Sequence, residues 1–178
     1  AIQKRDKIKA RTFFFVILKP QKENHSFTLQ PKKYHPPYMI IAAIDIGSNA
    51  ARLLINEVKI INQKPEFTKL NLLRIPLRLG MDVFTLGKIE FEREKMVLDA
   101  MKIFSDLMKI YKVEHYRACA TSAMRDAQNG KNIIEQVKKS SGIAIEIISG
   151  DEEATLIYEN HVAEGLDKDF AYLYIDVG

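Results

Sequence analysis

Short apolar runs separated by polar turns open the regular part of the chain. Residues 40–46 are apolar except for one carboxylate, are too few for helical periodicity and end at a glycine, so they predict a buried strand. Residues 51–60 and 66–79 predict two further strands, with polar turns at 47–49 and 62–65. Together the three segments predict an antiparallel meander.

A helical period follows the meander. Within residues 90–111, apolar side chains recur at helical spacing with Lys, Glu and Asp between them, which predicts a long amphipathic helix. The remaining predictions are a strand at 115–121, a helical turn at 122–128, a helix at 132–140 closed by Gly142, a strand at 143–148, a helix at 149–164 and a last strand at 170–177. A meander followed by strands alternating with helices indicates an α/β fold with a mixed sheet and helices packed on it.

Charge is distributed unevenly along the chain. The net charge is +4, but residues 1–38 hold 9 Lys and Arg against 2 Asp and Glu, whereas residues 39–178 hold 18 against 21. The basic balance therefore belongs to a segment without periodicity that ends in a Pro-Pro pair just before Met39. A basic arm can bind nucleic acid. We favour the alternative, an upstream extension outside the fold, with Met39 as the natural start, so a nucleic-acid partner is not expected.

Several function classes lack support in the sequence. The single cysteine, Cys119, cannot form an internal disulfide, so we expect a buried apolar role for it and a cytoplasmic protein. The longest apolar run of the extension, residues 13–18, is too short to span a membrane. The four histidines lack metal-ligand spacing, and there is no Walker-type loop, no dinucleotide fingerprint and no nucleophile elbow. These absences argue against a zinc site and against acyl transfer.

Asp45 and the turn after it form the first candidate site. A carboxylate within a buried strand is costly unless it is paired, hydrated or bound to a metal. The following Gly47, Ser48 and Asn49 offer backbone N–H groups and two polar side chains, which suits this turn to a phosphate and a cation. The alternative is an ordinary hairpin turn with an aspartate at a solvated strand end.

The second candidate site lies where the strand at 115–121 passes into the helical turn. Small residues at such a junction let a ligand approach the backbone, and a helix N-terminus attracts phosphate. Arg125 in the first turn can hold an anion through two parallel donors. The alternative is an ion pair between Arg125 and a neighbouring acid such as Asp126 or Glu135.

The third candidate is Glu153, in the first turn of the helix predicted at 149–164. Ser149 and Glu152 have the spacing of a capping box, which gives one of the two glutamates a structural role. Glu153 follows the C-terminal end of a strand, where open α/β sheets place ligands, so it can orient and deprotonate a water. Acids in a first helical turn are otherwise ordinary compensation of the helix dipole.

The order of these segments resembles one known family. The strings AIDIGSN at 43–49 with RLL at 52–54, ATSAMRDA at 120–127, IISGDEEA at 147–154 and IDVG at 175–178 together resemble the exopolyphosphatase/guanosine pentaphosphate phosphohydrolase (Ppx/GppA) family. The resemblance begins near residue 40 and includes nothing in residues 1–38. It implies the actin-like, sugar-kinase-like superfamily, whose two duplicated ribonuclease H-like lobes face each other across a cleft.

The resemblance also implies a division of the chain and a role for each motif. Residues 39–168 correspond to lobe I and residues 169–178 to the first strand of a truncated lobe II. The implied site consists of the first phosphate loop (Asp45, Gly47, Ser48 and Asn49), the phosphate-gripping Arg125, the water-activating Glu153, and the opening of the second phosphate loop, with Asp176 as a metal ligand and Gly178 among the phosphate-binding residues.

The chain departs from the family pattern at two positions. The family commonly has a hydroxyl residue and an aromatic after Asn49, where this sequence has Ala50 and Ala51. We expect the loss of a hydroxyl to weaken the grip on phosphate or to alter the preference for chain length. The usual continuation of the second phosphate loop is missing after Gly178.

The resemblance implies a Mg²⁺-dependent hydrolase without a covalent intermediate. The expected substrate is inorganic polyphosphate, which loses its terminal phosphate, or guanosine pentaphosphate, which loses its 5′ phosphate. A homodimer is compatible with the family, no membrane partner is expected, and the chain as it stands is expected to be inactive. The alternatives are a nucleotide- or alarmone-binding regulator without catalysis, an actin-like kinase, and a nucleic-acid binder that uses the basic extension.

Overall fold

A computed structural model describes the backbone of residues 38–162 and the side chains of residues 38–156. Within this range the elements are β1 (Tyr38–Ile46), β2 (Ala50–Ile61), β3 (Lys64–Pro76), α1 (Gly80–Leu86), α2 (Phe91–Ile110), β4 (His115–Ala120), α3 (Ser122–Asp126), α4 (Gly130–Ser141), β5 (Glu146–Ile147) and α5 (Gly150–Val162). Residues 1–37 of the predicted extension and the implied start of lobe II lie outside the described residues, whereas Tyr38, predicted to end the extension, is the first residue of β1.

The strands form one mixed sheet in the order β3-β2-β1-β4-β5. β2 is antiparallel to both β1 and β3, whereas β4 is parallel to β1 and β5 is parallel to β4. β1, β3, β4 and β5 therefore run in one direction, and their carboxyl ends meet at one edge of the sheet, which we call the C-terminal edge. The predicted α/β class, with three meander strands and two strands that alternate with helices, is confirmed.

Helices cover one face of the sheet and form the core there. Alternate residues of β1, namely Ala42, Ile44 and Ile46, are buried in a cluster with side chains of α1, α2, α3 and α4. Phe104 of α2 and Ile133 of α4 are completely buried in the same cluster. The amphipathic period of α2 accounts for its position, because its apolar stripe packs on this face.

The turn between β2 and β3 has two residues, Asn62 and Gln63, at φ 51° and 64°. Positive φ at both central positions is typical of a type I′ turn, whose twist matches that of a hairpin. The turn is shorter than the predicted segment at 62–65, because Lys64 and Pro65 already pair with β2. β3 is an edge strand of the sheet, where proline is tolerated.

Two predicted strands were too long. The strand predicted to reach residue 79 ends at Pro76, and the short helix α1 that follows was not predicted. The chain turns there because the N–H groups of Leu77 and Arg78 both donate to the Asn49 carbonyl, each at 2.9 Å. The strand predicted at 143–148 pairs with β4 only through Glu146 and Ile147. Within residues 38–162, no helix is both long enough and apolar enough to cross a membrane.

Candidate functional site

The C-terminal edge of the sheet gathers the three candidate segments. The β1–β2 turn, the β4–α3 junction and the β5–α5 junction follow strands whose carboxyl ends lie side by side. Two backbone bonds continue the pairing past the strand ends: Thr121 N–H donates to the Ile46 carbonyl and Ile148 N–H to the Ala120 carbonyl, each at 3.1 Å. Segments distant in sequence are therefore held in adjacent positions.

Backbone bonds fix the shape of the loop at 47–49. Gly47 N–H donates to the Ala50 carbonyl at 3.0 Å, which closes the turn. The Ser48 carbonyl accepts the N–H of Gly80 at 2.9 Å, and the Asn49 carbonyl accepts two N–H groups from the segment before α1. These bonds use the carbonyl oxygens of Ser48 and Asn49 and leave out the N–H groups of both residues. The loop is thus held against the segment before α1 through its carbonyl oxygens, an arrangement that suits an anion-binding turn.

One hydroxyl contact joins the first two candidate segments. Ser48 Oγ lies 2.8 Å from Ser122 Oγ, within hydrogen-bond distance, although the two serines are 74 positions apart in sequence. Ser122 is the first residue of α3, and Thr121 before it is buried. The loop at 47–49 and the start of α3, the helix that carries Arg125, are therefore in direct contact.

Asp45 forms an ion pair with Arg52. Arg52 Nη1 lies 3.2 Å from Asp45 Oδ2, and both side chains retain partial exposure. The two residues face each other in the β1–β2 register, on the sheet face opposite the core cluster. A carboxylate within a buried strand is tolerated when it is paired, hydrated or bound to a metal. Arg52 supplies the pairing, so the position of Asp45 in β1 does not require a metal.

Arg125 makes two contacts at the site. Its Nη1 donates to the Ile148 carbonyl at 3.2 Å, which links α3 to the end of β5, and its Nε lies 3.3 Å from Asp126 Oδ1. The predicted alternative, an ion pair with Asp126, is therefore present. An exposed pair of this kind contributes little to stability, about 0–1 kcal/mol, and can be exchanged for a bound anion.

The start of α5 separates the roles of its two glutamates. Ser149 Oγ accepts the N–H of Glu152 at 3.1 Å, so the serine caps the helix. The carboxylate of Glu152 accepts from Arg117 Nη2 at 2.8 Å, an interaction with β4 that the capping-box spacing did not reveal. Glu153, whose N–H donates to the Ser149 carbonyl, is of intermediate exposure at the same edge.

Arg117 and Cys119 lie near Glu152 and Glu146 on the sheet face opposite the core cluster. Arg117 also reaches Glu146 Oε2 at 3.1 Å. Burial opposes the charge of Arg117, but the bonds to Glu152 and Glu146 outweigh it, so the net pKa of Arg117 is raised. Burial raises the pKa of the Cys119 thiol to about 11, despite the attraction of Arg117. This thiol is neutral at physiological pH, which suits an inert residue, but Cys119 is of intermediate exposure and not fully buried as the sequence predicted.

The remaining sequence expectations concern the second phosphate loop, the two alanines after Asn49 and a metal. Asp176 and Gly178 lie outside the described residues, so their implied roles stay predictions. Ala50 and Ala51 are 3% and 0% exposed, and their side chains are therefore buried in the sheet. Within the part of the chain that the structure describes, no three His, Cys, Asp or Glu side chains converge as metal ligands.

Sequence reasoning did not single out Ser122 or Arg78 as site residues. Ser122 belongs to the motif at 120–127, and only the fold brings its hydroxyl close to that of Ser48. Arg78 was assigned to a strand, whereas it lies just after β3 at the C-terminal edge with φ 54°. Pro76 and Gly80, which flank this position, were the signals that a strand ends here.

Comparison with known proteins places this chain in a family. The sequence profile of the Ppx/GppA phosphatase family matches residues 58–178. A bifunctional 3-dehydroquinate synthase/phosphatase of Fusobacterium nucleatum is 34% identical over 142 residues, which are 77% of this chain and 21% of that protein. A guanosine-5′-triphosphate,3′-diphosphate pyrophosphatase of Photobacterium profundum is 27% identical, covering 81% of this chain and 28% of that protein. Exopolyphosphatase 2 of Mycobacterium tuberculosis is 29% identical, with 78% and 45% covered.

A solved structure shares the fold. The Ppx/GppA protein of Aquifex aeolicus superposes with a TM-score of 0.61 at 32% identity, over 66% of this chain and 37% of that one. This chain spans less than half the length of each curated relative named above. The family profile covers well over half of the chain, and the fold agrees. The chain belongs to the Ppx/GppA phosphatase family.

Proposed function

We propose that the full-length protein is a Mg²⁺-dependent phosphoanhydride hydrolase that releases the terminal phosphate of inorganic polyphosphate or the 5′ phosphate of guanosine pentaphosphate. The observation that carries the proposal is the 2.8 Å contact between Ser48 and Ser122, which joins the phosphate loop to the start of the Arg125 helix. The names of the Photobacterium and Mycobacterium relatives supply the two substrate classes. The lone cysteine suits a cytoplasmic setting.

In the proposed reaction Glu153 acts as general base. It takes a proton from water as the water oxygen attacks the terminal phosphorus and the anhydride P–O bond breaks. Orthophosphate and a chain shorter by one phosphate leave the site, or guanosine tetraphosphate where the substrate is guanosine pentaphosphate. Arg125 and the N–H groups of Ser48 and Asn49 stabilise the charge on the phosphoryl oxygens. The position of Glu153 at the same edge as Ser48 and Ser122 supports this assignment.

The described residues suit a magnesium ion that is bound by few protein ligands. Mg²⁺ is usually held by one or two carboxylates together with substrate phosphates and water, not by a cage of protein ligands. A site without three convergent carboxylates among residues 38–156 fits this mode. We assign the carboxylate role to Asp176, from the family resemblance. The ion would neutralise the negative charge of the phosphate chain.

The test is phosphate release by the full-length protein with Mg²⁺, from long-chain polyphosphate, guanosine pentaphosphate and ATP. Glu153→Gln is expected to lower kcat by about 10²–10⁴-fold, the usual contribution of a general base, with little change in KM. The matched control is Glu152→Gln, which changes the adjacent carboxylate, the one that binds Arg117, and should alter kcat only a few-fold.

Full activity of Glu153→Gln would falsify the assignment of the base. Binding of guanosine pentaphosphate without phosphate release would instead favour a regulator. ATP-dependent phosphorylation of an acceptor would favour an actin-like kinase.

A further inference from the structure

Arg78 stands in a backbone conformation that its side chain does not favour. Its φ of 54° lies in the left-handed region, which costs a residue with a Cβ more than it costs glycine. The conformation is imposed by the loop at 47–49, because the N–H groups of Leu77 and Arg78 both bind the Asn49 carbonyl. Glycine would meet the backbone requirement here at lower cost. The presence of arginine at this position therefore points to a role for its side chain.

The guanidinium of Arg78 differs from those of three other arginines near the site. Arg52, Arg117 and Arg125 each pair with a carboxylate. Arg78 is exposed, and within residues 38–156 its side chain has no hydrogen bond or ion pair. A guanidinium offers five donors in a planar fork that fits phosphate oxygens. At the C-terminal edge, this cation is available to an anion.

The order of the strands places Arg78 at one end of a row. Along the C-terminal edge, Arg78 follows β3, Ser48 follows β1, Arg125 follows β4 and Glu153 follows β5. Neighbouring strands are about 4.8 Å apart, so β3 and β5 are separated by roughly 19 Å. The hydrolytic base and Arg78 therefore lie at opposite ends of the row, with the phosphate loop between them.

We propose that Arg78 binds an internal phosphate of a long polyphosphate chain whose terminal phosphate lies at Glu153, and so makes this site selective for long chains. The proposal rests on the proposed function. A linear polyanion repeats its charge along its length and can contact both ends of the row. Tripolyphosphate is too short to do so, and its binding depends on the loop and Arg125 alone.

Lys112 supplies a matched control. It is also an exposed cation at φ 54°, and its side chain likewise has no partner among the described residues. It lies in the turn between α2 and β4, at the opposite edge of the sheet. Arg78→Gly and Lys112→Gly each remove one positive charge and one left-handed residue with a Cβ, so they differ in position and in the kind of cation.

The experiment uses the full-length protein and measures KM for phosphate release, equilibrium Kd and Tm with long-chain polyphosphate and with tripolyphosphate. Arg78→Gly is expected to raise the KM and Kd for the long chain about tenfold, the effect of losing one charge-assisted contact, and to leave both constants for tripolyphosphate unchanged. Arg78→Lys should restore part of the affinity, because the charge is kept and the fork is lost. Lys112→Gly should change no constant, and neither glycine variant should lower Tm.

Several outcomes would overturn the proposal. The first is an Arg78→Gly variant with unchanged KM and Kd for the long chain. The second is an equal loss of affinity for both substrates in this variant, which would indicate that Arg78 only supports the loop. The third is a loss of long-chain affinity in Lys112→Gly as large as in Arg78→Gly. The two proposals fail separately. Long-chain binding that depends on Arg78, without any phosphate release, would refute the hydrolase and support the role of Arg78 in binding. Phosphate release that depends on Glu153 but not on Arg78 would support the hydrolase and refute the role of Arg78. A wild type that binds neither chain would refute both.

Discussion

Charged side chains at the site neutralise one another before any substrate arrives. Asp45 pairs with Arg52, and Arg125 pairs with Asp126. Such pairs keep the arginines in place, but a phosphate must then compete with a carboxylate for the same donors. Removing the competing acid should therefore strengthen phosphate binding, whereas removing the arginine should weaken it.

Asp126→Asn is expected to lower the KM for polyphosphate a few-fold, up to about fivefold, which corresponds to an exposed ion pair of up to about 1 kcal/mol. Steady-state phosphate release measures the change, and Arg125→Gln, which should raise KM, gives the opposite control. A higher KM in Asp126→Asn would mean that the carboxylate orients Arg125 for substrate and does not compete with it.

Burial raises the pKa of the Cys119 thiol and makes its ionisation differ between the folded and unfolded protein. Its thiol has a pKa of about 11 against an ordinary 9.0, so the neutral form is favoured in the folded protein. The resulting contribution to stability is complete below pH 9 and is lost as the pH rises from about 9 to about 11. At pH 8, the thiolate population is on the order of 100-fold below that of a free thiol.

Alkylation by iodoacetamide, followed by mass spectrometry, tests this prediction. In the native protein the rate should rise about tenfold per pH unit up to about pH 11, whereas in urea-unfolded protein it should level off near pH 9. A native profile that also levels off near pH 9 would contradict the raised pKa.

Tight contacts between elements leave some positions for glycine alone. A Cβ on Gly130, the first residue of α4, would collide with the Met124 carbonyl oxygen, a backbone atom that cannot move aside. Gly130→Ala should therefore reduce the free energy of unfolding by about 2 kcal/mol. Urea unfolding measures this change. Gly150→Ala is the control, because no atom of the described residues lies within 4 Å of the added Cβ and Gly150 does not have a positive φ. Equal stability of the two variants would show that the α3–α4 junction adapts.

Elements with strong periodicity were predictable from the sequence, and elements defined by contacts with distant segments were not. The β1–β2 turn at 47–49 and helix α2 agree with the predictions because local turn chemistry and an amphipathic stripe determine them. Helix α1 was missed because Ile75, Leu77 and Leu79 continue the alternation of β3. What ends that strand is a pair of hydrogen bonds to Asn49, and no local pattern records such a contact.

The same distinction holds for the site. The sequence identified Glu153 as the glutamate outside the capping pattern, and the structure gives the adjacent Glu152 its own partner, Arg117. The proximity of Ser48 to Ser122 depends on the parallel pairing of β1 with β4, which brings together residues 74 positions apart. A sequence alone suggests such a pairing only through the fold of a family.

For the whole molecule, the site is a property of the sheet and not of any one segment. The three candidate segments lie on different connections, and the sheet order alone brings these connections to one edge. Loops on such a scaffold can change while the core cluster stays intact. The relatives, which are 27% to 34% identical to this chain over the aligned residues, are named for different activities.

The Ser48–Ser122 contact also has a kinetic consequence. The β1–β2 hairpin forms from neighbouring residues, whereas the β1–β4 pair must first close a long stretch of chain, and such closure is slow. The loop at 47–49 can thus take shape early, but its contact with α3 forms only after β4 has paired with β1. Since a ligand stabilises the states that bind it, substrate should stabilise the finished lobe without accelerating its assembly.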